Sequence, residues 1–151
     1  MSLAERHSEQ LSVAQELWEE LDAAHAEILR EMASMHAVQA SAQPSPDQWA
    51  YARWKLSRAS RRRRTCVERA YPVALAEATA FERARIVQLR EQDPMMLARS
   101  RDHVSAWPPE RIAEDWAGYC AASRAIRAGM TERVRAEQDV LIPILKRLGT
   151  A

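Results

Sequence analysis

The sequence predicts an all-α protein, an up-down-up-down four-helix bundle, on three observations. Apolar residues recur at three- and four-residue steps along most of the chain. No stretch alternates with a period of two, and none is rich in β-branched residues. Ala, Arg, Glu and Leu dominate, whereas the 151 residues include three Gly and one Phe. A chain of this length buries roughly 70% of the surface it exposes when unfolded. One domain over residues 1–151 can therefore hold its own core. With 47% hydrophobic and 28% charged residues, collagen-like, disordered and disulfide-scaffold classes are excluded.

The first segment spans residues 3–40, with Leu11, Leu17, Leu21, Ile28, Met32 and Met35 on one face and no Gly or Pro inside it. Residues 41–47 form a turn, in which Ser45 is a good N-cap and Pro46 suits the first helical position. The second segment continues toward Tyr71 on a stripe of Trp49, Ala52, Leu56, Ala59, Val67 and Ala70, and Pro72 is expected to kink or end it. The third covers 73–92, carrying Phe81, Ile86 and Leu89, with a restart at Asp93-Pro94 that stops before Trp107. The fourth runs from Pro108-Pro109 to Leu148, where Gly149 is expected to stop it. Its stripe includes Trp116, Tyr119, Ser123, Ile126, Met130, Val134, Glu137, Leu141 and Leu145. Cys66–Pro72 weakly echoes Glu137–Pro143, as two similar two-helix halves would. The five Trp (Trp18, Trp49, Trp54, Trp107, Trp116) read as core and interface fillers. Met32, Met35 and Met130 read as packing, and His7, His36 and His103 as surface residues.

Charge is unevenly spread. Residues 1–50 carry two basic and nine acidic side chains, and residues 51–100 carry twelve and five, within a net charge of +1. Two antiparallel helices lying side by side would explain this, and so would a basic contact surface. Cys66 and Cys120 form no CxxC pair and read as reduced, buried thiols. The polar N-terminus resembles no signal peptide, and the longest aliphatic run, 140–145, is far short of a membrane span. The expected location is cytoplasmic, without membrane contact.

Glu137 is the most informative residue, because it interrupts an apolar stripe. A carboxylate there needs a partner, a proton or a metal. Arg63 lies near the middle of the second segment's apolar face with Arg62 at its margin, and a guanidinium cannot shed its charge. His25 flanks the inner face of the first segment. His25, Arg62, Arg63, Arg133 and Glu137 are therefore the candidates for a buried polar cluster.

The stretch Glu137-Gln-Asp-Val-Leu-Ile-Pro143-Ile-Leu resembles the Glu-Glu-x-x-Leu-Phe-Pro-x-Leu motif of hemerythrin-like domains. His25, in Leu-Asp-Ala-Ala-His-Ala-Glu-Ile-Leu, is similar to that family's first-helix histidine. The resemblance implies a four-helix bundle and, in many members, a di-iron centre with His and carboxylate ligands from all four helices. In the family, a His stands four residues before the ligating carboxylate of helices two and four. Here those positions hold Arg62 before Cys66 and Arg133 before Glu137, and residues 73–92 contain no His. Only His25 and Glu137 match, and they remain the fallback metal ligands. The resemblance thus implies a bundle that has lost its iron, with Arg62 or Arg63 in the cation's place. The helical wheel prefers Arg63 and the motif register prefers Arg62.

A basic patch of Arg58, Arg61, Arg62, Arg63 and Arg64 follows Trp49, Tyr51 and Trp54. It reads either as a solvated face or as a phosphate-contacting surface. No Gly-rich phosphate loop, nucleophile elbow or HExxH pair occurs. The expected role is a non-enzymatic binding, sensory or structural module without a cofactor, able to pair with a second copy or a protein partner. The alternatives are an iron-binding protein with atypical ligands and a nucleic-acid or protein adaptor.

Overall fold

The computed structural model describes residues 1–42 and 44–150; Gln43, inside the predicted turn, and Ala151 lie outside the described residues. Among those residues there are five helices and no strand. They are α1 (Leu3–Ala40), α2 (Pro46–Glu77), α3 (Ala80–Ala106), α4 (Pro109–Glu114) and α5 (Trp116–Thr150).

Three helix starts are fixed by reciprocal capping boxes, Ser2 with Glu5, Ser45 with Gln48 and Thr79 with Glu82. Each box satisfies two amide groups that the first turn would otherwise leave bare. Pro46 occupies the first turn of α2, as its sequence suggested. The boundary between α2 and α3 differs from expectation, because Pro72 does not end α2. The helix continues to Glu77, and the Thr79 cap starts the next one. Pro94 likewise sits inside an unbroken α3, and Pro143 inside α5. All three prolines are exposed, so water can reach the carbonyl that each leaves unbonded.

The expected fourth segment is divided in two. Asp115 leaves helical geometry, and its Oδ1 accepts the Gly118 N–H at 2.9 Å, which starts α5 afresh. Gly149 does not stop α5, which runs on to Thr150. A Cβ at Gly149 would lie 3.2 Å from backbone atoms of Gln15, so this glycine permits close approach of α5 to α1.

Each long helix runs antiparallel to the long helix before it. Arg62 meets Glu27 and Arg69 meets Glu20 between α2 and α1, while Arg147 meets Glu82 and Arg133 meets Gln92 between α5 and α3. The acidic face of α1 is thereby set against basic α2, which accounts for the uneven charge.

The interior is layered. One end is aliphatic, with Leu21, Val67, Ala70, Ile86, Leu141 and Leu145 among its members. A smaller group, Ile28, Met32, Ala59 and Val134, lies further along, and Trp49, Trp107, Ile112 and Tyr119 close the other end. Buried polar side chains fall between these groups, with His25, Arg63, Arg133 and Glu137 at the first junction and Ser123 and Arg127 at the second. No helix of the described residues is long and apolar enough to cross a membrane.

Candidate functional site

The first polar junction is an ion cluster built around Glu137, whose side chain is 0% exposed. Its place on α5 follows from spacing, since residue 137 lies three after Val134 and four before Leu141, both buried. Oε1 accepts a hydrogen bond from His25 Nε2 at 3.0 Å. Oε2 accepts from Arg133 Nε at 2.9 Å and from the Arg63 guanidinium. A carboxylate only accepts, so the His25 proton sits on Nε2. Burial alone would push the Glu137 carboxyl up. The His25 hydrogen bond and the positive charges of Arg63 and Arg133 outweigh burial and hold it below the ordinary carboxylate range.

A second carboxylate completes the charge balance. Arg133 pairs with Asp93 and donates to the Leu89 carbonyl at 2.8 Å and to the Tyr71 hydroxyl at 2.9 Å. Tyr71 in turn donates to Asp93 Oδ2 at 2.7 Å. Burial and the Asp93 contact raise the Tyr71 phenol well above its usual value, which keeps it a neutral donor. Two guanidinium groups thus face two carboxylates, so the charges of these four side chains cancel. That balance makes four ionised groups tolerable in a helical interior.

His25, Arg63, Arg133 and Glu137 therefore come together as the sequence suggested, and Arg62 does not. Arg62 projects from the outer face of α2 onto Glu27 of α1, half-exposed. Successive residues of a helix point about 100° apart, so only one of the two adjacent arginines can enter the core. Arg63 correspondingly leaves the basic patch. Of the remainder, Arg58 and Arg61 are exposed and Arg64 is half-buried. The aromatic side chains beside that patch are already engaged. Tyr51 and Trp54 stack on each other at 6.0 Å, with Lys55 over Tyr51 and Arg58 over Trp54 at 4.8 Å each. Trp49 is buried, away from this surface. His103, expected at the surface, is half-buried and stacked on Tyr119 at 5.9 Å.

Sequence reasoning missed Tyr71 and Asp93. Tyr71 was detectable, being four residues after Val67 on the inner face. Asp93 beside Pro94 reads locally as a turn signal, and only the docking of α3 on α5 turns it inward.

The donor set does not fit a di-iron centre. Among the described residues, no three His, Cys, Asp or Glu side chains gather as metal ligands. The matching pair, His25 and Glu137, are bonded to each other, and both oxygens of Glu137 already accept from cationic or N–H donors. A carboxylate engaged in this way is poorly disposed to act as metal ligand, general base or nucleophile. In comparisons with protein-family models, curated proteins and solved structures, none matches this chain.

Proposed function

We propose that this chain is a non-enzymatic, metal-free member of the hemerythrin-like four-helix bundles, a cytoplasmic binding module in which ion pairing stands where relatives hold iron. One observation carries the reading: Arg63 and Arg133 bind the carboxylate of Glu137, the residue that the resemblance equates with a metal ligand. Arg133 also stands at the position where the family motif has a His. A guanidinium there supplies fixed positive charge without exchangeable coordination sites, so it can replace the structural role of a cation and none of its redox chemistry. The bundle order and the antiparallel course of the long helices are consistent with this family. The two buried thiols, Cys66 and Cys120, suit a reducing compartment.

The test is elemental analysis of the purified chain from iron-supplied cells, followed by titration with ferrous iron under anaerobic conditions. Less than about 0.1 iron per chain and no saturable uptake are expected, since an N/O site with two protein ligands binds weakly. Stoichiometric iron that is lost in Glu137→Gln would overturn the reading.

A further inference from the structure

The second polar junction holds a group that the ion cluster does not use. Between the middle and aromatic core groups lies a cavity of about 100 Å³, lined by Ile28, Met32, Leu56, Met130, Tyr119 and Arg127 among others. A single water needs only about 10–15 Å³ on such a measure, so there is room for an organic molecule. On the cavity wall α3 contributes Ser100, His103 and Val104, while α2 and α5 add Ser57, Ser60 and Ser123.

Arg127 is 8% exposed, and its guanidinium donates to Ser123 Oγ at 2.6 Å. The other two buried arginines, Arg63 and Arg133, each hold a carboxylate. Among the described residues, no carboxylate pairs with Arg127, nor with Arg53 on the same cavity wall. Arg53 is held in place by the carbonyls of Trp107 at 2.8 Å and Val104 at 3.1 Å. A guanidinium has five donors and cannot be neutralised by losing a proton, so one that holds only a serine hydroxyl and is otherwise open to the cavity is placed to receive an anion.

We propose that this cavity binds a small organic carboxylate, with its charged end on Arg127 and Arg53 and its apolar body among Ile28, Met32, Leu56 and Met130. Burial, and then the charges of Arg53 and Arg127, lower the His103 imidazole, which reflects an electropositive cavity. Burial likewise lowers Arg127 itself. The thioether and aliphatic lining favours a carbon body over a fully hydrated inorganic anion. The site lies 10 residues along α5 from Glu137, about 15 Å away, and does not depend on the hemerythrin resemblance.

The experiment is calorimetric titration of the whole chain with sodium acetate, butyrate, hexanoate and benzoate at constant ionic strength. Hexanol, hexylamine and inorganic phosphate serve as comparisons. Saturable one-to-one binding is expected, strengthening about fourfold per added methylene from acetate to hexanoate. Hexanol and hexylamine should bind at least about tenfold more weakly than hexanoate. At a hundredfold excess over Kd, hexanoate should raise the Tm by about 5–10 °C. Arg127→Met should lose at least about tenfold in hexanoate affinity while melting, without ligand, no lower than the parent protein. Failure of every carboxylate to bind the parent chain overturns the proposal without reference to any variant. Equal binding of hexanol or inorganic phosphate, or undiminished affinity in Arg127→Met, also overturns it.

Discussion

Replacing Glu137 with leucine at pH 7 isolates the energetics of the ion cluster. The carboxylate is fully buried and accepts three hydrogen bonds, two of them from guanidinium groups. After its loss Arg133 still holds Asp93, Tyr71 and the Leu89 carbonyl, whereas Arg63 holds nothing, because its Nε already lacks a partner. The cost therefore falls on Arg63, an uncompensated charge in the interior, and should amount to about 3–5 kcal/mol. For a domain of this size that corresponds to a fall in Tm of about 6–20 °C. Arg63→Met alone should cost less, about 1–3 kcal/mol, because Glu137 keeps Arg133 and His25. The double variant Glu137→Leu/Arg63→Met removes both charges together and should lie within about 2 kcal/mol of the parent protein. Urea unfolding followed by far-ultraviolet circular dichroism on all four proteins closes the cycle. A Glu137→Leu protein within about 0.5 kcal/mol of the parent would refute the reasoning, and so would a double variant no more stable than Glu137→Leu.

Four further outcomes follow from the structure. Arg62→Ala should change stability by less than about 1 kcal/mol, since its pair with Glu27 is half-exposed; a loss comparable to that of Glu137→Leu would place Arg62 in the interior after all. Because Glu137 titrates below its ordinary value of 4.5, the unfolded chain binds more protons in acid, and its stabilisation is present above that value and lost as pH falls through the lower folded one. Urea midpoints should accordingly fall more steeply below about pH 5 in the parent protein than in the Glu137→Leu/Arg63→Met double variant, which lacks that carboxylate. Gly129→Ala should stabilise by about 0.5–1 kcal/mol, because nothing lies within 4 Å of the added methyl group. Gly149→Ala should be destabilising despite the same propensity gain, because its Cβ would press on the Gln15 backbone; equal urea midpoints for the two variants would contradict this.

Much of the local structure is written in adjacent residues. The span of α1, the Ser45 cap with Pro46 and the inward placement of His25 and Glu137 follow from helical period and capping chemistry. The Thr79 and Asp115 caps were equally local, a Thr-x-x-Glu box and an Asp three residues before Gly118. Pro72 and Pro94 misled because the cost of a proline depends on whether the freed carbonyl faces water, which no local pattern states. The ion cluster was half legible. A Glu inside an apolar stripe announces a partner, but Asp93 lies 40 residues from the Arg133 it serves.

By itself, then, the sequence determined an all-helical chain, the inner faces of α1, α2 and α5, and the need for a partner, a proton or a metal at Glu137, because period and capping act within a few residues. Tertiary packing alone decided that Arg63 rather than Arg62 meets that need. Between neighbours about 100° apart, the rotation of α2 against α1 and α5 makes the choice. Packing likewise left Arg127 without a carboxylate beside a cavity, since which charges meet across helices depends on how the helices align.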